Sequence, residues 1–245
     1  MNTLNFSELG FLYERFLDIY RARPFRVAAT VLIAVLYLSV PSANIPFLEY
    51  NHFRITSLME QRAIESLLLF YPRQSWTGFS DVNPNLFRAI VSMEDGRFFG
   101  HKGIDWMELE KSLKTNKRRK RVARGGSTIT MQLAKNLYLR TDRNFIRKGK
   151  ELVIAIRMEK ELSKDVILTN YVNAVEWGEG IFGIKEAARE YFDKKPSELT
   201  LRESARLAAV IPAPLLYKPN EDSRYVKRRS SIIRGRYDDV TIPEK

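Results

Sequence analysis

Glu94 and Asp95 head a stretch, Glu94-Asp95-Gly96-Arg97-Phe98-Phe99-Gly100-His101-Lys102-Gly103-Ile104-Asp105, in which carboxylates, a histidine, aromatics and glycines crowd together. The chemistry this favours is acid–base. A carboxylate at a helix C-terminus faces the negative end of the macrodipole, and apolar neighbours add a desolvation cost, so both disfavour its charged form. Such a group suits proton removal near neutral pH, because catalytic groups work best with a pKa close to the operating pH. Glu94 is the candidate base. Asp95 and Asp105 are expected to brace the loop, His101 to act as a structural hydrogen-bonding group, and Phe98 and Phe99 to fill core. Gly96, Gly100 and Gly103 would leave room for close approach of a ligand.

Two further clusters follow. Gly125-Gly126-Ser127-Thr128 precedes a helical pattern and offers backbone N–H groups and hydroxyls that could hold a phosphate or simply cap the helix. Lys135 lies about two turns into that helix, and Arg143 sits in the link to the next. Arg147 and Lys148 stand four and three residues before Glu151, on its helix face, and Ile154, Ala155 and Met158 continue that face as apolar. The face is expected to be buried. An acid held among cations could organise them, or a metal, against a pyrophosphate; a salt-bridged helix surface is the plainer alternative. Two acids in unlike surroundings imply unlike roles.

The elements that must position these groups are helical. Asn83-Pro84 supplies an N-cap and a proline at the first helical position, and Leu86, Phe87, Ile90 and Val91 form a stripe that leads to Glu94. Phe53 to Tyr71 carries apolar residues at helical spacing before Pro72. Ser127 or a neighbour opens a helix through Leu139, Asn144 one through Leu162, and Ser163 one through Glu176, stopped by Gly178 and Gly180. Thr200 with Glu203 forms a capping box before Leu207, Ala208 and Ala209, and Pro212 ends that helix. Glu108 to Arg124 is strongly basic with few apolar residues, and is expected to be a mobile loop. No long run alternates at period two, so the fold class is mainly α.

Composition narrows the partners. Of 245 residues, 41 are Lys or Arg and 29 Asp or Glu, a formal net charge of +12 that favours anionic partners. There is no cysteine, which excludes disulfides, thiolate metal sites and thiol nucleophiles. Val27 to Val40 is an uncharged apolar run. A spanning helix needs about 20 apolar residues, so the run serves as an anchor only if Phe25 and part of Pro41 to Leu48 join it. The alternatives are a buried core helix and a cleavable signal, the latter disfavoured by Glu8, Glu14 and Asp18 in the leader and by the lack of a small-x-small site after the run. Arg15, Arg21, Arg23 and Arg26 precede the run, which puts the N-terminus in the cytoplasm and the rest outside.

From Asn83 to Pro219 the residues resemble the family 51 glycosyltransferases, the peptidoglycan polymerases, and most closely their monofunctional membrane-anchored members. Glu94-Asp95 with Phe98, His101, Gly103 and Asp105 is similar to the first motif, Gly125 to Asn136 to the second, and Arg147-Lys148 with Glu151 to the third. Ile167, Tyr171, Asn173 and Gly178 resemble the fourth; Gly180, Gly183, Ala187-Ala188 and Tyr191-Phe192 resemble the fifth. The resemblance implies a lysozyme-like helical fold and processive polymerisation of lipid II into β-1,4-linked glycan strands with release of undecaprenyl pyrophosphate. It implies Glu94 as base and Glu151 as the second catalytic acid. Asp95, Ser127, Gln132, Lys135, Asn136, Arg143, Arg147 and Lys150 would bind substrate, and a divalent cation, Mg²⁺ or Mn²⁺, would be held at Glu151. Met131 departs from the family's usual pair of glutamines, which puts one polar substrate contact in doubt.

The implied organisation is a cytoplasmic segment (1–24), an anchor and stalk (25–46), a membrane-proximal helix (47–82), the glycosyltransferase domain (83–235) and a tail (236–245). The implied location is the bacterial inner membrane, single-pass. No Ser-x-x-Lys or Lys-Thr-Gly element is present, so β-lactam acylation is not expected. A peptidoglycan-cleaving lysozyme or lytic transglycosylase is the main rival, and it has no need of a cationic pyrophosphate site. Nucleic-acid binding by Lys117 to Arg121 is disfavoured by the extracytoplasmic placement and by missing recognition motifs. An inert scaffold of the division or elongation machinery is disfavoured by the intact acids, although partners from that machinery are compatible with an active enzyme.

Overall fold

The computed structural model describes residues 14–15, 18, 21–39, 44–50, 52, 55–67, 72–119, 125–142 and 144–242. The chain divides into two units, Met1–Val40 and Pro41–Lys245. In the first, helix α1 (Pro24–Leu38) starts with proline at its first position, where the fixed φ suits a helix and no amide partner is lost. Phe25, Leu32, Ile33, Val35 and Leu38 are exposed. Its 15 residues span about 22 Å at the α-helical rise. Among the described residues no helix is long and apolar enough to cross a membrane. Residues 40–43 of the expected anchor lie outside the described set.

The second unit is mainly helical: α2 (Ser57–Glu65), α3 (Pro84–Glu94), α4 (Trp106–Arg119), α5 (Ile129–Tyr138), α6 (Phe145–Glu161), α7 (Lys164–Ala174), α8 (Ile184–Phe192), α9 (Leu201–Val210) and α10 (Arg224–Gly235). Most starts are set by a side-chain cap. Thr56, Asn83, Thr128, Asn144, Ser163, Thr200 and Ser223 each accept from a backbone N–H in the first turn, which satisfies donors a helix N-terminus leaves open. Thr200 and Glu203 complete the expected capping box.

Three expectations are corrected. The basic stretch is helical through Arg119, because Asp105 caps it by accepting from Glu108 N (2.9 Å) and Glu110 pairs with Lys114 one turn on; its Glu, Lys, Leu and Arg residues are also good helix formers. Lys120, Arg121 and Arg124 lie outside the described residues. Helix α7 stops at Ala174 rather than Glu176, since Glu176–Gly178 (β2) pairs antiparallel with Ile181–Phe182 (β3), which in turn pairs parallel with Arg73–Gln74 (β1). Strands of two or three residues leave no period-two signal. The membrane-proximal helix is shorter than the Phe53–Tyr71 expectation, running from Ser57 to Glu65; Phe53, Arg54 and residues 68–71 are outside the described set.

Two helix groups form the core. Helix α3 packs against α9 and α10, while α5 packs against α2, α6 and α7. Leu86, Phe87, Ile90 and Val91 are almost completely buried, as are Leu133, Ile154, Met158, Ile167 and Leu168 on the other side. At ~25 cal/mol per Å² of apolar surface, such packing is the dominant stabilising term and fixes where each helix end points. Glycine matters most at Gly103, where φ is +86° and a Cβ would lie 3.0 Å from the Ala155 carbonyl oxygen. That glycine lets the Glu94 loop close onto α6; the room it leaves serves packing, not a ligand.

Candidate active site

The buried stripe of α3 carries Glu94 to the last helical position, with Asp95 as C-cap. The Glu94 side chain is 12% exposed. It accepts from Gln132 Nε2 (2.9 Å), and Arg229 Nη2 of α10 stands 3.9 Å away. Burial pushes its pKa above the ordinary carboxylate value, against the lowering effects of Gln132 and Arg229. Asp95 turns inward. Its carboxylate meets His101 Nε2 (2.9 and 3.0 Å) and accepts from Ile129 N (3.0 Å), so it ties the loop to the first turn of α5. This bears out its bracing role. Phe98 is fully buried, edge-on to Phe99, with Lys164 Nζ 4.2 Å from its ring centroid.

The glycine-serine turn, Gly125 to Thr128, lines a cleft shared with Glu94, and part of the helix N-terminus behind it is already occupied. Of the first amides of α5, Ile129 N is taken by Asp95 and Met131 N by Thr128 Oγ1, so the anion at this helix N-terminus is the protein's own carboxylate. Ser127 has another partner: its Oγ accepts from Lys148 Nζ (2.9 Å).

On α6 the expected face is buried: Glu151 is 2% exposed and Ile154, Ala155 and Met158 are fully enclosed. One Glu151 oxygen accepts from Arg147 and the other from Lys148. Lys135, half-buried on α5, feels the charge of both acids. Burial pushes its pKa down, Glu151 and Glu94 oppose that, and Arg147 and Lys148 add to it. A cleft of about 730 Å³ is lined by Glu94, Gly96, Ser127, Gln132, Arg229 and Arg236, among others. One wall carries a desolvated carboxylate, and cations gathered on a second carboxylate lie next to Ser127. Such a cleft can accept a proton at one end and stabilise departing negative charge at the other.

Of the residues expected from sequence, Glu94, Asp95, Ser127 and Gln132 line this cleft, and Lys135, Arg147 and Glu151 join it through charge. Asn136 is buried one turn after Gln132, and Lys150 is half-buried beside Glu151. Arg143 lies outside the described residues. Met131 is 1% exposed and points into the core, away from the Gln132 face, so the departure at this position removes no visible cleft contact. Sequence reasoning missed Arg229. Its helix carries a weak signal, Ser223 as cap followed by Val226, Ser230 and Ile233 at helical spacing, but the approach to Glu94 spans over a hundred residues of chain and has no local trace.

The transglycosylase family profile matches residues 60–237. A biosynthetic peptidoglycan transglycosylase of Herminiimonas arsenicoxydans is 42% identical over 171 residues, covering 70% of this chain and 74% of the relative. Those of Thiobacillus denitrificans and Laribacter hongkongensis are 38% and 35% identical, each over 89% of this chain and 95% and 96% of their own lengths. With the profile spanning both walls of the cleft, the chain belongs to the transglycosylase family.

Proposed function

We propose that this protein is a peptidoglycan glycosyltransferase that polymerises lipid II into β-1,4-linked strands. The observation that carries the reading is the division of labour across one cleft in a member of this family: Glu94 desolvated and nearly alone, Glu151 clasped by two cations. Glu94 takes the proton of the acceptor sugar's 4-hydroxyl. That oxygen bonds to the anomeric carbon of the lipid-linked donor, and the bond from that carbon to the pyrophosphate oxygen breaks with its electron pair leaving on undecaprenyl pyrophosphate. Attack opposite the leaving group inverts the α linkage to β. Arg147 and Lys148, held in place by Glu151, and Lys135 nearby stabilise the negative charge that develops on the pyrophosphate; Arg143 and Lys150 join them in this reading, with Ser127, Gln132 and Asn136 on the substrate sugars. A lysozyme-like helical fold is in keeping with the helical architecture.

Among the described residues no group of three or more His, Asp or Glu side chains is placed to hold a metal. Magnesium, however, is commonly bound through one or two carboxylates together with substrate phosphates. The divalent cation expected at Glu151 stays part of this proposal, but both Glu151 oxygens are already taken by Arg147 and Lys148, so Glu151 would hold it only if one of these cations moved to the substrate's pyrophosphate, where the metal would supply charge neutralisation. The anchor reading also stands as a proposal: residues 25–46 hold the enzyme in the inner membrane with the catalytic unit outside, supported by the exposed apolar side chains of α1. Removing residues 1–46 should move the protein from the membrane to the soluble fraction, and unchanged partitioning would overturn the anchor.

The function is tested by giving the purified protein lipid II and a divalent cation. Lysozyme-sensitive glycan strands are expected; release of sugars from finished peptidoglycan without polymerisation would instead support the lytic reading, which leaves the cations around Glu151 without a task.

A further inference from the structure

Tyr171 is fully buried on α7, beyond the cleft lining, yet it is the next link in a chain that ends on the base. Its hydroxyl donates to Gln132 Oε1 (2.9 Å), and Gln132 Nε2 donates to Glu94 Oε2 (2.9 Å). We propose that Tyr171 is a positioning residue for proton transfer: it locks the Gln132 amide in the one orientation that presents an N–H to the ionised Glu94.

The geometry makes the two ends of the amide unequal. A carboxylate only accepts and a phenol hydroxyl beside a carbonyl donates, so N–H toward Glu94 and C=O toward Tyr171 satisfy both contacts. Once Glu94 has taken a proton it becomes a donor. An amide free to rotate would then turn its carbonyl toward Glu94 and stabilise the protonated form. Tyr171 opposes that turn, because the rotated amide could only donate to the phenol oxygen and would take away the acceptor of the buried phenol proton. The lock therefore favours the ionised carboxylate and limits how far burial raises its proton affinity. Tyr171 can hold this role throughout the working pH range: burial, with Glu94 and Asp95 nearby, pushes its phenol well above its ordinary value. Other charged or titratable groups that act on Glu94 or share its cleft include Asp95, Lys135 on α5, Arg229, Tyr225 and Arg236 at α10, and Arg97, Asp105, Glu108 and Arg119 across the cleft; none of these touches the Gln132 carbonyl among the contacts described.

The role rests on the polymerase reading, but its central measurement does not require activity. In the full-length protein labelled with [¹³C-carboxyl]glutamate, the Glu94 resonance is assigned by its loss in Glu94→Gln and titrated by NMR. Tyr171→Phe should raise its midpoint by about 0.5–1 pH unit, the size expected for losing one ordinary hydrogen bond. Site-specific 3-fluorotyrosine, a stronger donor of nearly the same shape, should lower the midpoint and serves as the decisive variant should Tyr171→Phe fold poorly. In lipid II polymerisation, Tyr171→Phe should reduce kcat about five- to tenfold, leave KM unchanged and shift the acidic limb to higher pH. Adding it to Gln132→Leu should cost nothing more. A midpoint indifferent to either change at Tyr171, or fully additive losses in the double variant, would overturn the inference. A wild-type protein whose Glu94 titrates as described but which makes no glycan would overturn the polymerase reading instead.

Discussion

Glu94 and Glu151 are the same residue type in opposite settings. Glu94 ends a helix, receives one neutral amide donor and sees its nearest guanidinium at 3.9 Å. Glu151 lies inside a helix, is more deeply buried and accepts from Arg147 and Lys148 at once. Burial alone therefore does not decide what an acid does; the partners that burial brings along decide it. A buried carboxylate with one neutral donor and a guanidinium only at 3.9 Å is uneasy as an anion and takes up a proton readily, whereas one clasped by two cations is a scaffold for them.

The largest test of that contrast is removal of the charge at each site. Glu94→Gln should lower kcat for polymerisation about 10²–10⁴-fold, the range for losing a general base, with an unchanged circular dichroism spectrum; near wild-type turnover would show that the base lies elsewhere. Glu151→Gln should cost about 10²–10³-fold, by disordering the cations that face the leaving group, and an unaltered rate would reduce the cluster to a structural ion pair.

Stability should move in opposite directions. Since the folded-state pKa of Glu94 is raised, its ionised form opposes folding at neutral pH, and any stability it contributes is present below the unfolded-state pKa and lost as pH rises through the folded one. Glu94→Gln should thus raise Tm at pH 7 by a few degrees, about 2–4 °C per kcal/mol for a chain of this size, with the gain fading in acid. Glu151→Gln strands two cations and should destabilise the fold by about 3–5 kcal/mol, lowering Tm. Melting curves in which both variants move the same way would break the contrast.

In wild-type enzyme the acidic limb of kcat/KM should lie above the ordinary glutamate pKa of about 4.3, because activity is lost as Glu94 protonates. A limb at the ordinary value would remove desolvation from the account. The smallest effect is expected at Met131. Met131→Gln should lower Tm, since it buries an amide at a cost of about 1–3 kcal/mol, without improving KM for lipid II; a tighter KM would mean that this side chain reaches the cleft.

Much of the architecture was legible. Caps at Asn83, Asn144, Ser163 and Thr200 and the apolar stripes behind them are local patterns, so the helices that carry Glu94 and Glu151 could be drawn from sequence, with the face of α6 that buries Glu151. Helix α4 is hidden by its charge: its basic residues read as a solvated loop, while their helix propensity and the Asp105 cap favour a helix. The short sheet escaped because two-residue strands are defined by partners far along the chain.

Sequence by itself determined which acids and cations exist, their spacing on each helix and the helical class of the fold, since capping and i,i+4 geometry act within a few residues. Only the tertiary structure decided that Asp95 closes the N-terminus of α5, that Met131 faces core while Gln132 faces the cleft, and that Arg229 and Tyr171 converge on Glu94 from α10 and α7. Those outcomes depend on which helices pack together, and hydrophobic burial, being non-directional, leaves no mark of its partner in the local sequence.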